Sequence, residues 1–292
     1  MAGAWRIGDA LTLSRDLADD SVDCIVTSPP YWGLRSYLAD DDPAKAHEMG
    51  AEPTLAEYVE RLVTLFRELR RALKPGGTCW LNLGDCYQGD GKQLRLAPYR
   101  VALALQADGW CLRSHIIWAK PNPMPESVTD RPTSAHEAVF LLTKSARYWY
   151  DAEAVREAHR HPELARKFDS VPAVGGAYQV KSGRNDTGQH RNGPGFRSDP
   201  DKGRNKRNVW SIPSAPYSGS HYAVMPPKLI EPCIKAGCPP RGLVLDPFGG
   251  SGTVGMVAES LGRDWLMFDL DERNAALMAQ RTAQRSLLGL MG

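Results

Sequence analysis

Leu243-Val244-Leu245-Asp246-Pro247-Phe248-Gly249-Gly250-Ser251-Gly252-Thr253 constrains the fold more than any other stretch of this chain. An apolar run feeds a glycine-rich turn, and helical spacing resumes from Thr253. Glycines let a backbone approach a ligand closely, and a helix start offers unpaired N–H groups. The next apolar run ends about twenty residues on at Asp269, a carboxylate able to accept from ribose hydroxyls. Gly250, Gly252 and Gly255 also fit the GxGxxG dinucleotide fingerprint. Position argues against a nicotinamide enzyme, because only about forty residues follow the motif.

Upstream, strand-like and helical segments alternate. Trp5–Asp9 reads as a short strand with a turn, about 10–17 as a helix, and Val22–Thr27 as a buried strand. Thr54 and Glu57 form a capping box. Leu55, Tyr58, Val59, Leu62, Phe66, Leu69 and Leu73 then recur at helical spacing, until Lys74-Pro75-Gly76-Gly77 stops the helix. Strands are expected at 78–83, 114–119 and 138–143, with a helix at 98–108. After an irregular stretch from about 153 to 222 come a helix at 226–236, strands at 242–246 and 265–269, and helices at 253–261 and 272–287. Such alternation implies a mostly parallel sheet covered on both faces, hence a three-layer α/β fold.

Thr27-Ser28-Pro29-Pro30-Tyr31-Trp32 follows the second strand, where ligands bind in open α/β sheets. Two prolines end the ladder and form a rigid turn. Ser28 and the Pro29 carbonyl are acceptors able to hold both hydrogens of an –NH₂ group. Tyr31 offers a face to a planar ring.

The two motifs together resemble the DNA amino-methyltransferases, whose signatures are (D/N/S)PP(Y/F/W) and a DPFxGSGT-like loop. Gly8-Asp9-Ala10 resembles the family's acidic turn near the cofactor adenine, and His221–Pro226 its segment before the cofactor strand. Gly249 stands where many members carry Ala. The motif order resembles the circularly permuted beta subgroup, which explains a glycine loop so near the C-terminus. The resemblance implies a permuted three-layer αβα methyltransferase fold using S-adenosylmethionine, with no metal. Its catalytic residues would be Ser28, Pro29, Pro30 and Tyr31. Its cofactor residues would be Asp9, Ala10, Ser28, Pro29, His221, Asp246, Pro247, Phe248, Gly249, Gly250, Ser251, Gly252, Thr253 and Asp269. A catalytic half would span 1–152, a basic target-recognition insertion 153–209, and a cofactor half 210–292. Serine before Pro-Pro-Tyr leans toward cytosine N4, with adenine N6 as the alternative. Base flipping and direct in-line transfer would follow.

Charge distribution agrees with a DNA partner. From Arg156 to Arg207 stand twelve basic and six acidic residues, a net of +6, leaving −4 for the remainder. Basic side chains there would meet phosphates first, and some of its Arg and Asn residues would read base edges. That insertion favours duplex DNA over RNA or protein as substrate. A cognate restriction endonuclease and a homodimer are further expectations of the resemblance.

The remaining signals are structural. Asp85 is a polar residue after a strand, of the type that caps the next helix. The six cysteines form no CxxC pair and are read as reduced thiols without zinc. A ring-carbon methyltransferase needs a cysteine beside proline, and the one Pro-Cys, Pro232-Cys233, falls within a helical pattern as packing. No stretch approaches the apolar length of a membrane span. Residues 1–6 show no secretory signal, so a cytoplasmic, DNA-associated prokaryotic or phage protein is expected.

Overall fold

A computed structural model describes residues 3–34, 36–87, 93–159, 203–214 and 225–288. The chain divides into two units, Met1–Asp151 with Arg207–Gly292, and Ala152–Lys206.

The larger unit is built on an eight-stranded sheet. Its strands are β1 (Ala4–Ile7), β2 (Val22–Thr27), β3 (Leu73–Leu83), β4 (Cys111–Ala119), β5 (His136–Thr143), β6 (Val209–Ser211), β7 (Leu243–Asp246) and β8 (Asp264–Asp269). They lie in the order β1-β8-β7-β2-β3-β5-β4-β6. β1, β8, β7, β2 and β3 run parallel. β5 pairs antiparallel with both β3 and β4, and β6 lies parallel to β4. The parallel sheet expected from alternation is therefore interrupted. β4 returns directly as β5, without the crossover helix a parallel neighbour requires.

Two helical layers cover the sheet. α1 (Ala10–Arg15), α2 (Leu55–Ala72) and α3 (Ala97–Ala107) pack together, and α4 (Pro227–Gly237), α5 (Thr253–Ser260) and α6 (Arg273–Leu288) pack together in turn. The capping box at α2 has both bonds: Glu57 N–H donates to Thr54 Oγ1 at 3.2 Å, and Thr54 N–H to Glu57 Oε2 at 2.9 Å. Tyr58, Leu62, Leu65, Phe66 and Leu69 line the buried face of this helix, against Ile25, Cys79 and Leu81 of the sheet. Burying such side chains contributes about 1.5–3 kcal/mol each before entropy is counted.

Two local expectations change and a third holds. Lys74-Pro75-Gly76-Gly77 ends α2 but belongs to β3. Leu73 pairs with Val22, and a register shift before Cys24 absorbs the proline, the setting in which a sheet tolerates one. The three-residue β6 falls in a stretch read as irregular. It is held by Trp118 Nε1–H, which donates to the Ile212 carbonyl at 2.8 Å. Asp85 caps α3 from a distance: its Oδ1 accepts from Ala97 N–H at 3.1 Å and from Cys86 N–H at 2.9 Å.

Cys24, Cys79, Cys86, Cys233 and Cys238 are buried, and burial holds the thiols of Cys24 and Cys79 well above their ordinary range. Cys233 donates to the Leu229 carbonyl within α4, consistent with a packing role. Among the described residues no helix is long and apolar enough to cross a membrane.

In the smaller unit, a turn at Glu153–Val155 leads to a bridge between Glu157 and Arg204, closed by two backbone bonds of 2.9 and 2.8 Å. The Glu157 carboxylate meets Arg204 at 3.4 Å and Lys206 at 3.5 Å. Most of the basic segment, 160–202, lies outside the described residues.

Candidate active site

β2 and β7 are neighbouring parallel strands, so their carboxyl ends deliver the two signature turns to one edge of the sheet. The turns are joined directly. Thr27 Oγ1 donates to Asp246 Oδ1 at 2.8 Å, across 219 residues of sequence. The same oxygen accepts from Phe248 N–H at 3.0 Å. Both Thr27 and Asp246 are buried. Burial pushes the Asp246 carboxyl up to about 7; the Thr27 and Phe248 bonds oppose this, and the nearby Asp269 charge adds to it.

A cleft of about 770 Å³ opens over these turns. Ser28, Pro29, Pro30 and Tyr31 line it on one side, with Asp246, Pro247, Phe248, Gly249, Gly250, Ser251 and Thr253 on the other. Asp9, Ala10 and Asp269 line it as well. Gly252 does not reach the cleft. It opens α5 in a left-handed conformation (φ +80°), and a Cβ there would stand 3.0 Å from Met278 Cα. His221 lies outside the described residues.

The glycine turn is held from two directions. Asp269 Oδ2 accepts from Gly250 N–H at 2.7 Å, while Oδ1 accepts from Asp271 N–H and Asn274 Nδ2, both at 2.9 Å. Arg281 donates to Ser251 Oγ and Thr253 Oγ1, each at 2.6 Å. A Cβ on Gly249 would lie 3.0 Å from Met267 Cβ and 3.2 Å from the Phe268 carbonyl, so the turn presses onto β8. Asp9 caps α1 by accepting from Thr12 N–H at 2.9 Å, and Gly8 N–H donates to the Asp269 carbonyl at 2.8 Å. The acidic turn and the acid-bearing strand end are thus adjacent.

On the Ser28 side, three further residues line the cleft: Asn82 from β3, Glu137 from β5, and Lys120 just after β4. Ser28 Oγ donates to Tyr31 Oη at 3.2 Å, and Tyr31 Oη donates to Glu137 Oε2 at 2.6 Å. Asn82 Nδ2 donates to Tyr31 Oη at 2.6 Å and to Glu137 Oε2 at 2.8 Å. Lys120 forms an ion pair with Glu137 Oε1, and its ammonium stands 4.5 Å from the centre of the Trp118 ring. Burial, then the Glu137 charge, raises the Tyr31 phenol well above its ordinary value, so it remains a donor. Gly84 makes room for the ring: a Cβ there would lie 2.6 Å from Tyr31 Cε2. Sequence reading missed Asn82, Lys120 and Glu137. The available signals were a polar residue inside the run Trp80-Leu81-Asn82-Leu83 and a carboxylate opening the run from Ala138.

A DNA methylase family model, N6_N4_Mtase, matches residues 22–280. The chain belongs to that family. The type II methyltransferase M.SmaI of Serratia marcescens is 38% identical over 306 aligned residues, covering 96% of this chain and 90% of that protein. M.Cfr9I of Citrobacter freundii is 39% identical over 301, covering 94% and 85%. Among solved structures, the cytosine-N4-specific PvuII DNA methyltransferase superposes with a TM-score of 0.68 at 21% identity, covering 96% of this chain and 86% of that one. The M1.HpyAVI–SAM complex gives 0.55 at 18% identity, covering 97% and 100%. This DNA methylase therefore shares the α/β fold of solved DNA methyltransferases over nearly its whole length.

Proposed function

We propose that the chain transfers a methyl group from S-adenosylmethionine to the exocyclic N4 of cytosine in duplex DNA. The Thr27–Asp246 bond carries this reading. It fixes the amine-binding turn against the glycine turn, so that both face one cleft.

The residues present suit the methyl donor. The glycine turn lies flat on β8, and Asp9, Asp246 and Asp269 offer acidic oxygens to ribose hydroxyls and to a cation. Bound there, the donor supplies a methyl carbon already activated by its sulfonium, which leaves the protein the work of positioning. A base amino group is a weak nucleophile because its lone pair is delocalised. Ser28 and the Pro29 carbonyl accept its hydrogens and localise that lone pair for in-line attack. The base reaches them by flipping out of the duplex, and Tyr31 gives it a face. Serine at position 28 favours cytosine N4 over adenine N6. Within this reading, residues 153–209 are the target-recognition insertion, held to phosphates by Arg and Lys. His221 contributes to the donor site. A type II endonuclease of matching specificity is the cellular partner, with the methylase acting in the cytoplasm as a homodimer.

The test incubates the protein with methyl-labelled donor and duplex DNA, followed by mass spectrometry of the nucleosides. N4-methylcytosine is the expected product. N6-methyladenine would reverse the base assignment, and label in RNA or protein alone would overturn the substrate.

A further inference from the structure

Resting on that reading of Ser28, we propose that Ser28 and Tyr31 form a proton relay ending on the Glu137 carboxylate. It removes the proton that the target amine must shed.

The chain of bonds has a direction. Ser28 donates to Tyr31 at 3.2 Å, and Tyr31 donates to Glu137 at 2.6 Å. Two hydroxyls in series therefore point their hydrogens at one carboxylate. Asn82 adds only N–H donors to the network, and its buried carbonyl oxygen has no hydrogen-bond partner among the described residues. An amide cannot take up the proton, which leaves Glu137 as the acceptor. Lys120 forms an ion pair with its other oxygen and leaves Oε2 to Tyr31 and Asn82.

The step balances. The amino nitrogen's lone pair bonds to the methyl carbon as the carbon–sulfur bond breaks, and that bond's electron pair stays on sulfur. The nitrogen, now electron-poor, releases one hydrogen as a proton to Ser28 Oγ. Ser28 passes its own hydroxyl proton to Tyr31 Oη, and Tyr31 passes its proton to Glu137 Oε2. Positive charge leaves sulfur, and Glu137 loses its negative charge. The part-exposed carboxyl then returns the proton to solvent before the next turnover. Glu137 acts through Tyr31 and is a positioning residue for the reaction; Ser28 alone in the relay meets the amine.

The test compares single-turnover methylation by wild type, Ser28→Ala, Tyr31→Phe, Glu137→Gln and the Tyr31→Phe/Glu137→Gln double variant. Glutamine keeps an oxygen for Tyr31 but cannot take a proton, so a purely structural Glu137 predicts little loss. The relay predicts a loss of about 100-fold, in the range of general-base effects. In Glu137→Gln, donor and duplex affinities by calorimetry stay unchanged. The double variant is no slower than the worse single one, since either change breaks the same path. A Glu137→Gln rate within threefold of wild type, or losses that multiply in the double variant, would overturn the relay alone. Near-normal methylation by Ser28→Ala would overturn the underlying site reading as well.

Discussion

Replacing Asp246 with asparagine should make the protein more stable at neutral pH. Burial holds the native carboxyl up to about 7, against an ordinary value of 3.8. The folded state therefore binds this proton more tightly than the unfolded chain does. Its contribution to stability is full below the ordinary carboxylate range and is lost as pH rises through about 7. Between pH 5 and pH 8 the loss is roughly 3 kcal/mol, at ~1.4 kcal/mol per unit. Asparagine keeps a carbonyl oxygen for the Thr27 and Phe248 donors and cannot ionise. Urea unfolding of both proteins across that range isolates the effect, because every other titrating group is common to the pair. The variant should exceed wild type at both ends of that range, by roughly 3 kcal/mol more at pH 8 than at pH 5. A difference constant within about 0.5 kcal/mol would refute the burial argument.

Ser28→Ala should lower single-turnover methylation at least 100-fold while leaving donor affinity unchanged, as separate calorimetry would record. Asp269→Ala removes the acceptor for Gly250, Asp271 and Asn274. Lost bonds to a charged group cost about 1.5–3 kcal/mol, so donor affinity should fall roughly 10- to 100-fold. Unchanged calorimetric affinity would remove Asp269 from the donor site. The logarithm of duplex affinity should fall linearly with the logarithm of salt concentration, and neutralising Arg184, Arg191 and Arg197 should flatten that slope in binding titrations.

Both signature turns were legible because each is a local device: proline and glycine at fixed offsets after an apolar run. Their meeting was legible only through the general rule that ligands sit at strand ends. The Ser28 side of the cleft was not legible. Asn82 on β3, Glu137 on β5 and Lys120 just after β4 are brought together by an antiparallel β5 that no short-range pattern announces. Lys74-Pro75-Gly76-Gly77 misled for a related reason. Turn chemistry dominates locally, but pairing of Leu73 with Val22 decides in the folded sheet. Asp85 was read correctly because capping chemistry is the same whether the helix is near or distant in sequence.

A single carboxylate atom, Asp246 Oδ1, receives one hydrogen from each signature turn. Neither turn can shift without disturbing the other's anchor, so occupancy of one half of the cleft carries an energetic consequence for the other. Thermodynamic reciprocity then sets the size: whatever factor a flipped nucleotide adds to the grip on the sulfonium, the sulfonium returns to the nucleotide.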